Sequence, residues 1–516
     1  MASNKSDIDG TGESSDLTFT RRAALALMGA GGVAAATGTA TADHGDAPGS
    51  ETGRYDRKWN QDVNAQEHDL KNLHSVDVDH VYASARDADV VVWKDDEGGW
   101  HADGRDGHVT STDDVMLATN AAFDSLTDGR DHKEKVVIVS PAEVGPHSWG
   151  EGPWPGYKGI EVPSNTILDV PAPIHIKDEG KPLIRAVHAK DAENIEFPTL
   201  NIKGNPRYAV WMNSVSDVRI GHVSVEFADE VKEGGLGVRI DQYGDSGRSK
   251  NVQINSGYVK NSAHHAFETN GVTRFQAGQL IADNPANAAL NMDHTIDATI
   301  DSVVGQDPGH PSTYATVRLA NYCHNVSVGQ VVSRGGAKGL MCLTAKDASF
   351  GEVNITDSTD SGVFIALSTD ITISGGTIKN CRGEGIRIHG YPTDTFEAFN
   401  VATSGITVSD VRFRDDRPEG EQTQTYAIRE SGETAFSNQF VNNDVRNGGT
   451  EDPIAIAAAS TLVANNLGAG VDEGTVTLTS GEDPAARVTG VSPHKDATLD
   501  LRAKAHDGPD ARFSWD

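Results

Sequence analysis

From Pro163 onward, short apolar segments return at a nearly fixed interval, and that interval limits the possible folds more than any other feature of the chain. DVRIGHVSV, NVQINSGYV, DATIDSVVG, NVSVGQVVS, ASFGEVNIT and DITISGGTI align as strands divided by Asn, Gly, Ser and Asp. Each is followed by a further strand, among them GVRID, AFETN, ALNMD, TVRLA, GLMCL, GVFIA and GIRIH. One inward anchor per repeat gives Ile184, Val210, Val238, Phe267, Leu290, Val317, Leu340, Val363 and Ile386, separated by 26, 28, 29, 23, 27, 23, 23 and 23 residues. A period near 23 with three short strands and no helix predicts an all-β solenoid, the parallel β-helix. A propeller blade needs about twice that period. An ordinary sandwich does not hold register over so many repeats. The coils are expected over residues 164–470, with an irregular coil around 390–425.

The flanks read differently. Residues 76–163 predict a small N-terminal α/β cap: VVVWKDDEGGWHADG suggests strands and turns, and KVVIVS a buried strand. Between them Asp113-Asp114 opens a helix with Val115, Ala118, Ala122 and Leu126 on one face. Residues 43–75 are polar and Gly/Asp/Asn-containing, as in a linker. At the other end, GTVTLTSGEDPAARVTG and LDLRAKA within 471–516 predict a few strands covering the open end of the solenoid.

The formal charge is −31, from 75 acidic against 44 basic residues spread along the chain. That excess argues against a nucleic-acid partner. A dispersed acidic surface suits a chain kept soluble at very high salt, where repulsion is screened, so a halophilic source is expected. Arg21-Arg22 precede a mild Ala/Gly-rich run ending in Ala40-Thr41-Ala42. This is the twin-arginine export pattern over residues 1–42, and it predicts a secreted, extracellular protein cleaved after Ala42. The run is too short and too mild for a stable membrane span. Cys323, Cys342 and Cys381 lack metal-site spacing and form no disulfide framework; they read as small buried apolar residues.

DVVVWKD, the entry VPSNTILDV, and the ladder GVRID–HHAFETNG–AALNMD together resemble the secreted right-handed β-helix proteins of the pectate-lyase-like superfamily, with a haloarchaeal cast given by the charge. The resemblance covers most of the chain after the leader. It implies right-handed coiling and extracellular polysaccharide as the substrate class, and leaves the reaction open.

Within a solenoid, outward positions stack about 4.8 Å apart from coil to coil. The residue after each anchor gives one outward column: Arg185, Trp211, Arg239, Glu268, Asn291, Arg318, Met341, Phe364 and Arg387. Two positions on lie Asn213, Asp241, Asn270, Asp293, Ala320, Leu343, Ala366 and His389. Charged and amide side chains gather between Trp211 and Arg318, whereas the next two coils present Met341, Leu343, Phe364 and Ala366. The longest repeats flank the same coils, and their extra residues in FADEVKEGG, QYGDSGRS and GQDPGHPSTY would wall a groove.

Glu268 is the leading acid–base candidate, with a plain ion pair to Arg239 as the competing structural role. Asp241 and Asp293 stand two coils apart, about 9–10 Å, at the upper edge of the separation for inverting hydrolysis. A lyase would neutralise a uronate carboxylate and remove the C5 proton with Arg318, Arg239 or His265. The arginines favour such an anionic substrate because guanidinium grips carboxylate bidentately. Calcium held by carboxylates would suit the neutralising role, although no tight calcium loop is visible. Asn270, Asn291 and His294 join Trp211 and Asp241 as substrate-binding candidates. Trp211, with Trp149, Trp154 and Tyr157, either stacks on sugar or packs the cap. His264 and His265 read first as turn residues, and with His294 as a remote zinc set. GEGIRIHG, residues 383–390, reads as a regular coil. Three functions follow in order: β-elimination on a uronate-containing glycan; hydrolysis using Glu268 with Asp241 or Asp293; and glycan binding without cleavage, as a monomer or homo-oligomer.

Overall fold

The computed structural model describes residues 88–145, 159–177, 185–228, 235–242, 247–308, 314–392 and 401–469. The expected leader, linker and C-terminal strands lie outside these residues, as do Trp149, Trp154, Tyr157 and most of the three long inserts. The described chain is a right-handed parallel β-helix built on two long sheets, with one short helix near its start.

The coil repeats in a simpler way than three short strands. Each regular coil carries one short strand, such as Leu290–Asp293, and one long strand of 11 or 12 residues, such as Ser249–Lys260. The long strand turns a corner without leaving its ladder. In Ser249–Lys260 the inward residues Val252 and Ile254 are followed by two outward ones, Asn255 and Ser256, before Gly257 and Val259 face in again. Asn255 has no register partner, while Ile254 pairs with Ala277 and Ser256 with Gln279. One slip in the alternation therefore bends the sheet, and two expected strands merge.

The short strands stack Val187, Val210, Val238, Phe267, Leu290, Val317, Leu340, Val363 and Ile386 in strict parallel register, continuing to Ile428 and Ile454. The first anchor differs from the expected Ile184, which lies outside the described residues. Val187 is the residue paired with Val210, so the first outward neighbour of Trp211 is His188, and Arg185 pairs with Tyr208.

Asn and Asp recur between strands because the corners need a left-handed backbone. Asn194, Asp217, Asn251, Asp297 and Asn325 have φ of 56°, 55°, 53°, 58° and 55°, a region that short polar side chains tolerate best after glycine. Their side chains bond along the stack: the Asn251 amide donates to Asp217 at 2.7 Å and Asn325 to Asp297 at 2.6 Å. Inside, Phe197, Phe227, Phe267, Phe275 and Phe350 fill the core. The three cysteines are free and buried, and burial pushes the thiols of Cys323 and Cys381 up to about 12.

The helix Val115–Asp124 is capped by Asp114, whose carboxylate accepts the N–H of Met116 at 2.6 Å and of Leu117 at 3.2 Å. Val115, Ala118, Ala122 and Leu126 are buried as the spacing predicts, joined by Met116, Thr119 and Phe123. The strand Glu134–Ile138 pairs in parallel with both Val90–Val92 and Thr166–Asp169. The strands before the first coil are thus an extension of the long sheet.

Candidate active site

The outer face of the short sheet carries the candidate residues, and the register sets them side by side. Trp211, Arg239, Glu268, Asn291 and Arg318 are direct neighbours on successive strands, and so are Asn213, Asp241, Asn270 and Asp293. Each comes from a strand of four to six residues whose alternate positions are core anchors, so the backbone has no freedom to move these side chains independently.

They form one bonded chain. Asp241 is almost fully buried and accepts from Trp211 Nε1 at 3.1 Å, Asn213 Nδ2 at 3.1 Å and Arg239 Nε at 2.6 Å. The other end of the Arg239 guanidinium donates to Glu268 Oε2 at 3.0 Å. Asn291 Nδ2 lies 3.4 Å from Glu268 Oε1 and 3.2 Å from Asp293 Oδ2. Arg318 donates to Asn291 Oδ1 at 2.8 Å and approaches Asp293 at 3.7 Å, while Asn321 holds Asp293 Oδ1 at 2.9 Å.

Exposure grades this chain. The side chains of Arg239, Arg318 and Asp293 keep 23%, 16% and 15% of their surface, against 7% for Glu268 and 2% for Asp241. The surface presented to a ligand is therefore made by Arg239, Asn270, Asp293 and Arg318, with Glu268 just beneath it. Burial raises the pKa of Glu268 above the ordinary glutamate value; Arg239 opposes the shift, and Asp293 and Asp241 reinforce it. Burial pulls Arg239 down, but Glu268 and Asp241 more than offset it, so its guanidinium is more firmly protonated than usual. An arginine clamped by two carboxylates cannot serve as a base. The buried Nε of Arg318 has no hydrogen-bond partner.

His265 sits outside this working surface. It is 2% exposed, its Nδ1 accepts the Ala288 N–H at 3.2 Å, and its ring meets Tyr314 edge-on at 5.0 Å. Burial pushes its pKa down to about 2, with His264, Arg318 and Arg239 adding to the shift. It packs the site as a neutral imidazole, and the expected role of base does not fit its geometry. His264 contacts His265 edge-on at 4.5 Å, whereas His294 occupies a corner at φ 47° with its ring near Tyr322. The three histidines do not converge. Among the described residues, no group of three or more His, Cys, Asp or Glu is placed to hold a metal ion, zinc or calcium. One face of Trp211 is already covered by the Arg185 guanidinium, 3.5 Å from the ring centre.

Several contributors escape a column-by-column reading. Asn321 is a corner residue, and Tyr314, under the Arg318 guanidinium at 5.4 Å, ends a long insert. Arg185, expected beside Trp211 in the outward column, does reach its ring, but from the register position paired with Tyr208. The signals available were the corner asparagine after each short strand and the aromatic closing GQDPGHPSTY.

Among solved structures, the chain is similar to the A-module of the Azotobacter vinelandii mannuronan C-5 epimerase AlgE6, at 12% identity and a TM-score of 0.52, over 69% of this chain and 95% of that one. The AlgE4 A-module from the same organism matches at 13% identity and a TM-score of 0.49, over 68% and 93%. The N-terminal fragment of bacteriophage Phi29 gene product 12 follows at 13% and 0.40, over 70% and 71%. No family model matches the sequence, and no curated protein matches it significantly. At 12% identity the likeness to the AlgE6 module establishes the fold alone, a right-handed parallel β-helix.

Proposed function

We propose that this protein is a carbohydrate-active enzyme that acts on a uronate-containing polysaccharide at C5, by β-elimination. The observation that carries the reading is the position of Glu268. It is a buried carboxylate with raised proton affinity, set between Arg239 and Asn291 and two strands from Arg318, which bonds Asn291. A uronate carboxylate on Arg318 would spread its charge into the guanidinium and acidify the C5 proton. Glu268 takes that proton, the C5–H electrons become the C4=C5 double bond, and the C4–O bond breaks. The leaving oxygen collects the proton from Glu268 on the same face, which returns the carboxylate. A neighbouring fold whose name gives mannuronan as substrate and C-5 as the reacting position supports this choice of carbon. The twin-arginine leader supports work outside the cell.

Hydrolysis ranks second on a specific observation. Asp241 already accepts from Trp211, Asn213 and Arg239, and its side chain keeps only 2% of its surface, so it has little access to a water it would have to activate. Incubation with mannuronan, pectate, glucuronan and neutral glycans in molar salt decides among the readings. Unsaturated, UV-absorbing ends establish elimination. New reducing ends without unsaturation establish hydrolysis, and inverted C5 signals in proton NMR establish epimerisation. Binding without chemical change would reduce the face to a glycan-binding surface.

A further inference from the structure

The segment GEGIRIHG, a plain coil by sequence, carries a second cationic site. On the same outer face, past the apolar coils, Arg387 and Arg429 are direct register partners on adjacent parallel strands. Like charges set opposite each other on a sheet repel, and they persist where something else offsets the cost. Arg429 has an offset, since its NH1 meets Glu384 at 3.2 Å. Arg387 has none. Its Nε is buried without a hydrogen-bond partner, and no carboxylate among the described residues lies within ion-pair distance of its guanidinium.

The surroundings favour an incoming anion. Phe364 lies under both Arg387 and Lys338, each 5.8 Å from the ring centre. Lys338 is itself committed to Asp360 at 2.5 Å. Three cations thus face two carboxylates in a chain whose formal charge is −31. His389 bonds Ser431 through Nδ1 at 2.9 Å and packs edge-on to Tyr391. Its pKa is lowered, first by burial and then by Arg387 and Arg429, so the ring adds a polar neutral edge and no competing charge.

We infer that Arg387 and Arg429 form a distal carboxylate-binding subsite for the same polyuronide chain, separated from Arg318 by the buried apolar side chains of Met341 and Phe364. The inference rests on the proposed uronate reading for the identity of the ligand. Arg318 and Arg387 are three strand spacings apart, about 14 Å. A glycan lying along the sheet would place one carboxylate on the solvent-facing side of each of the two guanidinium groups. This arrangement predicts affinity that grows with chain length, because the second contact is made without a second encounter.

Calorimetric titration of the full chain with oligomannuronates and oligogalacturonates tests the subsite at low salt. Glu268→Gln serves as the non-cleaving background, so that binding is read without turnover. Arg387→Gln is expected to weaken long uronate oligosaccharides roughly 10–100-fold, the loss expected for a hydrogen bond to a charged group. Disaccharides, too short to reach it from Arg318, should bind Arg387→Gln and its parent equally. Arg387→Lys keeps the charge but loses the planar fork that grips a carboxylate bidentately, and should recover only part of the affinity. Near-UV circular dichroism and the melting midpoint of each variant confirm that its fold is retained. Unchanged affinity of Arg387→Gln for long chains would overturn the inference. So would acetate or sulfate competing as tightly as the polymer, which would mark a simple ion site. Loss of turnover in Glu268→Gln reads the catalytic proposal separately: if that variant turns over normally, the catalytic role falls, while the Arg387 effect on binding stands or falls alone.

Discussion

The outer face of the short sheet has two halves on one backbone. From Trp211 to Arg318 it is a bonded ladder of arginines, carboxylates and amides; across Met341, Leu343, Phe364 and Ala366 it is apolar. The inward residues do not change character between the halves: Val238, Phe267, Leu290, Val317, Leu340 and Val363 are all buried. Folding is therefore written on one set of alternate positions and chemistry on the other. The polar half can carry buried charge because every coil beneath it is already held by its anchors and its ladder.

Substitutions on the polar half should have unequal effects. The largest effect is expected from Glu268→Gln, with kcat on the responsive polyuronide falling about 10²–10⁴-fold. In the unaltered enzyme the rate should rise with pH through the raised pKa of Glu268, so the acid limb of the pH–rate profile lies above the ordinary 4.5. A limb below that value would remove Glu268 as the base. Next comes Arg239→Met, which strands the buried carboxylates of Asp241 and Glu268. It should cost about 3–5 kcal/mol, seen as a large fall in the melting midpoint at neutral pH and a smaller one near pH 4.

Acid stability gives a third test. The pKa values of His265 and His188 are pushed by burial to about 2 and about 4, so both rings stay neutral in the fold. The unfolded chain takes up these protons below about 6.5, so their contribution is fully present above that pH and declines as pH falls through it. His265→Leu should flatten the acid slope by about one proton, roughly 1.4 kcal/mol per pH unit, in melts run from pH 7 to pH 5. The smallest effect belongs to a corner: Asn325→Ala, at φ 55°, should cost about 1–2 kcal/mol and leave activity unchanged.

The stacking of Val210 through Ile386 was legible because alternation and a fixed coil length both act on every repeat. Ile184 misled because an apolar residue just before the strand imitates an anchor, while Val187, three positions on, has the partner. The bend within the long strands was invisible, since a one-residue slip at Asn255-Ser256 uses the same residue types as any turn. Columns placed Glu268 beside Arg239 and Asn291. They could not show that Asp241 would be committed to three donors, that His265 would be sealed under Tyr314, or that Arg387 would lack a close ion pair. Those outcomes depend on side-chain reach between coils, which spacing does not encode.

Regular corners also make the solenoid a ruler with fixed graduations. Leu340, Val363 and Ile386 follow one another at the unit repeat, and each coil closes on itself in the same way. Removing the stretch from Leu340 to Gly362 would seat Val363 on Val317 and carry Arg387 one graduation, about 4.8 Å, toward Arg318. The gap between the Arg318 and Arg387 guanidinium groups is thus set in whole coils, and a lineage gaining or losing one would change it by one full graduation and by nothing in between.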